Sequence, residues 1–293
     1  MSHESAADSI RVSASTLTTM SSVPVQVTSG LAGVGRRRVT VLLAGFSVGL
    51  LGGLIGLGGA EFRLPLLLGV FGFAALQAVI LNKAMSLVVV ATALPSRLAA
   101  VPLAELAGQW PVVVNLLAGS LAGAWVGATW ATRMRSATLY RVLAALLVLI
   151  AAALIGSRLG NVSGLGLNGP GQVAAGVVAG FGIGVVAALM GVAGGELLIP
   201  TIVLLFGLNL KLAGSVSLAV SLPTMLMAFA RYSRDSSFVV LRQNGRFVAL
   251  MAGGSVAGTI IGGLLLGVVP EQVLVPLLTV LLLASALKVW RHQ

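Results

Sequence analysis

The stretch GLGGAEFRLP, residues 56–65, places a glutamate and an arginine inside a run that is otherwise almost wholly apolar. The stretch GVAGGELLIP, residues 191–200, repeats its glycines, its glutamate and its proline. A shift of 135 positions aligns the two, so that Glu61 meets Glu196 and Pro65 meets Pro200. The same shift pairs Gly45, Gly49, Gly56, Gly59, Gly119, Gly123 and Gly127 with Gly180, Gly184, Gly191, Gly194, Gly254, Gly258 and Gly262. Coincidences in this order indicate an internal duplication.

The composition is that of an all-α polytopic membrane protein. The 293-residue chain is 58% hydrophobic and only 9% charged, with a mean hydropathy of +1.07, whereas soluble domains carry about 25% charged residues. Cysteine is absent and both histidines, His3 and His292, lie in the tails, so we expect no metal and no cofactor. The net charge of +11 is gathered between apolar runs. Such clustering follows the positive-inside rule and argues against a nucleic-acid partner.

Apolar runs between helix breakers predict ten segments. They cover approximately 39–57, 61–75, 77–98, 110–131, 139–157, 171–191, 195–208, 212–231, 245–268 and 271–290. Most approach the roughly 20 residues that a membrane helix needs, but 61–75 and 195–208 are short. Basic clusters lie at residues 36–38, 133–141, 231–246 and 288–291. All four fall on one side of the membrane if each short segment pairs with its neighbour. The positive-inside rule then places both termini in the cytoplasm, below a plasma or inner cell membrane.

The duplication divides the chain into four parts. They are a disordered cytoplasmic tail (1–38), a first membrane repeat (39–160), an inter-repeat loop (161–170) and a second membrane repeat (171–293). Each repeat holds about five segments, an odd number, so the second repeat is expected upside down relative to the first. Each short segment either crosses the membrane or forms a hairpin that dips in and returns. Inverted repeats with paired interrupted helices are typical of secondary transporters, which bind substrate where the broken helices meet.

The glycine-rich interruptions at residues 56–59 and 191–194 are called the first and second breaks. Longer stretches around these two breaks resemble a known family. They are GLLGGLIGLGGAEFRLPLLL and GIGVVAALMGVAGGELLIPTIVLLFGL, followed in turn by NKAMSLVVVATALPSR and AGSVSLAVSLPTM. Over about 39–290 the chain is similar to the TauE/SafE family of membrane permeases, the sulfite exporter family. The resemblance implies export of small anions such as sulfite or an organosulfonate. Family copies usually show a run of glycines where this chain reads GGAEFRLP, and Arg63 is the main departure, consistent with an altered substrate.

The two acids and the arginine are the first candidate site residues. Glu61 and Glu196 either couple transport to protons, because acids inside a membrane mark ion pathways, or cap the helices that start at the breaks. The Arg63 guanidinium either binds the anionic substrate or pairs with Glu61 or reaches an interface. Its equivalent in the second repeat is Leu198, so any role is asymmetric.

Glycines and small polar residues near the breaks complete the candidate set. The glycines are expected to interrupt the helices and so present a positive helix end to an anion; they are Gly58, Gly59, Gly194 and Gly195. Candidate hydrogen-bond donors to an oxyanion are Asn82, Ser86, Ser215 and Ser217, although hydroxyl groups also mediate contacts between membrane helices. Lys83 is either a further donor to the oxyanion or an ordinary positive charge near the cytoplasmic end of its segment.

These features predict a secondary transporter that exports small sulfur-containing anions, such as sulfite or sulfoacetate, with proton coupling through Glu61 or Glu196. A passive small-anion channel is the alternative. An enzyme is not expected, because the predicted core holds neither histidine nor cysteine for a nucleophile, a base or a metal site. The expected partners are the anion, protons and the lipid bilayer, and a homodimer is left open.

Overall fold

The computed structural model describes residues 34–55, 59–100, 103–159 and 169–265, with positions 280, 283 and 287. All elements over these residues are helical. In chain order they are α1 (Val34–Ile55), α2 (Ala60–Gly69), α3 (Ala75–Ala100), α4 (Leu103–Gly108), α5 (Trp110–Arg133), α6 (Ser136–Leu159), α7 (Pro170–Met190), α8 (Gly195–Phe206), α9 (Leu210–Tyr232), a 3-10 turn (Ser236–Phe238), α10 (Val239–Gln243) and α11 (Gly245–Leu264). Most of the predicted tail and loop, and nearly all of the segment predicted over 271–290, lie outside the described residues.

Five of these helices are long and apolar enough to cross a bilayer. The spans are Ala75–Thr92, Trp110–Arg133, Pro170–Met190, Leu212–Tyr232 and Gly245–Leu264, and shorter apolar helices cover Arg38–Gly53, Ser136–Ile150 and Gly195–Phe206. Large apolar side chains, among them Val178 and Ile260, are exposed on these helices, as on surfaces that contact membrane. The predicted all-α polytopic membrane class is confirmed. The segment predicted over 61–75 ends earlier, at Gly69, because the chain turns through Gly72 at a φ of 70°.

Helices α5 and α7 pack with their backbones in contact. Gly119 and Gly123 of α5 face Phe181 of α7, and a methyl group at either glycine would collide with the Phe181 backbone. In return, a Cβ at Gly184 of α7 would lie 2.9 Å from the Ser120 Cα. Small residues at such positions let membrane helices approach closely, which is the main source of their association.

Helices α1 and α11 form a second seam of the same kind. Gly254 and Gly258 of α11 face Phe46 of α1, and Gly49 of α1 faces Ser255 of α11. Each of these residues is 135 positions from its counterpart in the first seam, so the sequence repeat relates the two seams. The first helix of each half therefore packs against a late helix of the other half. The inverted orientation of the halves stays a prediction.

Helix α8 runs back along α7. A Cβ at Gly194, just before α8, would lie 3.2 Å from the Ala187 Cβ and 3.3 Å from the Ile183 Cγ2. At the other end, the Gln172 Nε2 donates a hydrogen bond to the Leu205 carbonyl oxygen at 2.6 Å. The pair is therefore antiparallel and returns the chain toward its starting side, as the charge pattern requires. With 12 residues, α8 is about 18 Å long and does not by itself span a hydrocarbon core of roughly 30 Å.

The first half repeats this arrangement around α2. Gly59, just before α2, faces Val48 of α1, and these two residues are the counterparts of Gly194 and Ile183. Gly59 and Gly194 have φ angles of 72° and 82°, in the left-handed region that glycine adopts without steric cost. Two long helices hold the broken segments in place: α3 packs against α2 and α9, and α9 packs against α5 and α8.

Candidate functional site

Helix α7 ends in a Schellman motif at the second break. Gly191 has a φ of 71°, the Val192 N–H donates to the Ala187 carbonyl oxygen at 3.1 Å, and the Gly191 N–H donates to the Ala188 carbonyl oxygen at 3.2 Å. These two bonds define the motif. A Cβ at Gly191 would collide with the Val79 carbonyl oxygen of α3. The turn that follows α7 therefore lies directly against α3.

Side chains of α3 and α9 bind carbonyl groups at this helix end. The Lys83 Nζ donates to the Ala187 carbonyl oxygen at 2.8 Å and to the Val192 carbonyl oxygen at 2.7 Å. The Tyr232 hydroxyl donates to the Ala188 carbonyl oxygen at 2.9 Å. The last carbonyl groups of a helix lack intrahelical donors and carry the negative end of its dipole. A buried cation and a buried hydroxyl therefore both stabilise the end of α7.

Asn82 of α3 joins the two breaks. Its Nδ2 donates to the Ala60 carbonyl oxygen and to the Met190 carbonyl oxygen, each at 3.0 Å. Ala60 is the first residue of α2 and Met190 is the last residue of α7. The helix that follows the first break and the helix that precedes the second break are thus bound by a single amide group.

Arg63 is fully buried beside this junction, with an exposed fraction of 0%. Its Nη1 donates to the Ser86 Oγ at 3.3 Å and, at the long distance of 3.5 Å, to the Asn82 Oδ1. Its Nε and Nη2 have no partner among the described residues. The alternative in which Arg63 reaches an interface is wrong, because the side chain is enclosed by protein. Two N–H-bearing atoms of a buried cation thus remain available for an acceptor.

The two repeat-related acids are buried, and most of their carboxylate oxygens have no hydrogen-bond partner among the described residues. Glu61 is 2% exposed and Glu196 is 8% exposed. The Glu61 Oε1 and both carboxylate oxygens of Glu196 have no hydrogen-bond partner within the described part of the chain. Glu196 therefore does not cap α8, contrary to the structural alternative given above. A buried carboxyl group without partners is costly and in a membrane usually marks a functional position.

The predicted glycines frame both breaks. Gly59 and Gly194 immediately precede α2 and α8, and Gly195 is the first residue of α8. Gly58 lies outside the described residues. The N-cap residue of each helix is a glycine, which has no side chain to cap the first turn, so the start of each helix is set by glycine conformation rather than by a polar N-cap residue.

The predicted small polar residues separate into two groups. Asn82 and Ser86 contact Arg63 directly. Ser215 and Ser217 are buried on α9, where the Ser217 hydroxyl donates to the Gly214 carbonyl oxygen of its own helix at 2.9 Å. Asn82 and Ser86 of α3 therefore join Arg63 in one hydrogen-bonded cluster, and the Ser217 hydroxyl bonds within α9.

Two residues of the junction differ from the sequence interpretation. The interpretation of Lys83 as an ordinary charge near the cytoplasmic end is wrong, because the side chain is only 1% exposed and binds α7. Tyr232 was not predicted as part of the site. A tyrosine at the end of an apolar segment is typical of a membrane interface, and nothing in its surrounding sequence distinguishes the buried role.

Comparison with known proteins agrees with these features. The family model described as Sulfite exporter TauE/SafE matches residues 41–289. No curated protein and no solved structure matches the chain significantly. The matched region contains both helix breaks and both glycine seams. The chain therefore belongs to the TauE/SafE sulfite exporter family of membrane permeases.

Proposed function

We propose that this protein is a secondary transporter that exports small sulfur-containing anions, such as sulfite or an organosulfonate like sulfoacetate. The observation that carries the proposal is the buried Arg63 guanidinium, whose Nε and Nη2 lack hydrogen-bond partners in the described part of the chain. A guanidinium presents its donors in a planar fork that matches the oxygens of an oxyanion. Family membership supports the class of substrate.

The position of Arg63 in the fold favours an anion further. Arg63 is the fourth residue of α2, close to the helix N-terminus, where the helix dipole is positive. Ser86 lies within hydrogen-bond distance of its Nη1 and offers a hydroxyl donor beside the guanidinium. The asymmetry at this position, with Leu198 in the second repeat, means that one half supplies the charge that recognises the anion.

We assign proton coupling to the two buried acids. Glu61 and Glu196 occupy equivalent positions in the repeat, and three of their four carboxylate oxygens lack partners among the described residues. A carboxyl group in this environment can take up a proton on one side of the membrane and release it on the other as its surroundings change. Acids in transporter cores commonly act as such proton relays.

The test is uptake of labelled sulfite into proteoliposomes that hold the purified protein. We expect saturable uptake that unlabelled sulfite and sulfoacetate inhibit and acetate does not. Arg63→Ala should reduce the rate about tenfold or more, since a hydrogen bond to a charged group contributes about 1.5–3 kcal/mol. Arg135→Ala removes an exposed arginine outside the site and is the matched control, expected to transport normally.

Three results would contradict this assignment. Flux that rises without saturation would favour the small-anion channel. Inhibition by acetate equal to that by sulfite would remove the sulfur-oxyanion class. A normal rate for Arg63→Ala would show that the guanidinium does not contact the anion, whichever anion is carried.

A further inference from the structure

The carbonyl groups at the end of α7 form a site with the chemistry of a cation-binding site. The Ala187 and Val192 carbonyl oxygens converge on one nitrogen, the Lys83 Nζ, at 2.8 and 2.7 Å. Ala187 lies in the last turn of α7 and Val192 in the interruption that follows it, so both oxygens are at the negative end of the α7 dipole. In ion-coupled carriers, unwound carbonyl groups and half-helix C-terminal ends of this kind coordinate the coupling cation.

Here the cation is part of the protein. Lys83 reaches α7 from α3, its side chain is almost completely buried, and both of its described hydrogen-bond acceptors are neutral main-chain carbonyl groups. A tethered ammonium therefore stands where a free monovalent cation would otherwise satisfy the same oxygens. The sequence repeat does not require this residue, because the equivalent position in the second half is Leu218.

We propose that the Lys83 ammonium is a built-in substitute for a coupling cation, so that the break after α7 keeps its conformation without bound Na⁺ or K⁺. The inference goes beyond the proposed function. It concerns a cation site at the second break, and it holds whichever anion the protein carries.

Shortening the side chain should convert the tethered site into a site for a free cation. Lys83→Ala removes the ammonium and its stem, which leaves the Ala187 and Val192 carbonyl oxygens without the ammonium donor and space beside them. Ammonium, methylammonium and K⁺ resemble the lost group in charge and size, and Na⁺ is a smaller probe of the same oxygens. A cation that binds the folded state and not the unfolded state raises the free energy of unfolding by RT ln(1 + c/Kd), where c is the free cation concentration.

The experiment measures the melting temperature of the purified full chain in detergent. Each variant is measured in chloride salts of ammonium, methylammonium, K⁺, Na⁺ and N-methylglucamine at one ionic strength. We expect Lys83→Ala to melt below the natural protein in N-methylglucamine. It should recover most of the loss as at least one small cation replaces N-methylglucamine, with a gain that grows with the logarithm of the cation concentration above its Kd. The natural protein should melt alike in all five salts.

Two matched controls separate site binding from a general salt effect. Lys83→Met removes the charge but keeps a long side chain in the same space, so it should lose stability without cation rescue. Tyr232→Phe removes a different side-chain donor to α7, at Ala188, but leaves the ammonium in place, so it too should not respond to the choice of cation.

A second small variant, Lys83→Ser, keeps the test decisive if Lys83→Ala is unstable. Recovery of either folded variant only in the presence of a small cation supports the proposal. Equal melting of both variants in every salt, failure of both to fold in any salt, or an equal response of Lys83→Met would overturn it. Failure of sulfite transport would leave this outcome unchanged, because the measurement requires no substrate.

Discussion

Gly182 and Gly184 lie two residues apart on α7 but have opposite surroundings, which makes them a sharp test of the α5–α7 seam. A Cβ at Gly184 would lie 2.9 Å from both the carbonyl carbon and the Cα of Ser120, whereas no atom of the described residues lies within 4 Å of a Cβ at Gly182. Non-bonded carbon atoms are most stable at about 3.5–4.0 Å. Gly184→Ala must therefore separate the two backbones by roughly 0.6–1 Å at this point.

The cost of this separation can be worked out from the difference between the two variants. Overpacking of a well-packed contact costs about 1–3 kcal/mol, whereas alanine gains about 0.5–1 kcal/mol over glycine as a helix former at both positions. The helix-forming gain cancels between the two variants, so we expect the free energy of unfolding of Gly184→Ala to be about 1–3 kcal/mol lower than that of Gly182→Ala. The assay is equilibrium unfolding in SDS with helicity followed by circular dichroism. Equal midpoints for the two variants would refute the backbone contact.

Three further predictions use the same unfolding assay. Gly258→Ala should be about 1–3 kcal/mol less stable than Gly253→Ala, because only the first would collide with α1; a difference near zero would show that the two seams are not equivalent. Asn82→Leu leaves two buried carbonyl groups without the amide donor and should lower the free energy of unfolding by about 2–6 kcal/mol. A loss below about 1 kcal/mol would contradict the hydrogen-bonded bridge between the two breaks. Glu196→Gln should not lower stability, since a buried carboxylate whose oxygens have no partner among the described residues is costly and the amide is neutral. The same change should abolish stimulation of sulfite flux by a pH gradient; stimulation at the natural level would exclude Glu196 as the coupling acid.

The helices and their breaks could be predicted because their causes are local. Apolar runs of membrane length define the spans, and the glycines before Glu61 and Glu196 adopt backbone angles that interrupt a helix. The seams could be predicted as faces, since glycines four residues apart lie on one side of a helix. The helix that packs against each glycine face could not be predicted, because a face of small residues does not specify which other helix packs against it.

The candidate site could be predicted only in part, because some of its contacts join residues that are distant in the sequence. Arg63, Asn82 and Ser86 were recognisable as polar groups in apolar surroundings, and they do lie together. The partners of Lys83 are main-chain carbonyl groups more than 100 positions along the chain. Main-chain atoms have no signature in a sequence, so a lysine that binds them is indistinguishable from a lysine at a membrane surface.

The exchange of helix partners between the halves has a consequence for synthesis. Both α1 and α5 belong to the first half, yet each presents its glycine face to a helix of the second half, α11 and α7 respectively. The newly made first half therefore enters the bilayer with two small-residue faces that have no lasting partner. A ribosome that stops between the halves releases a product prone to wrong associations, because such faces attract helices by packing alone. Insertion of α11 then provides the packing partner of α1. A helix that is translated early is therefore packed against its partner only when a late helix has been inserted.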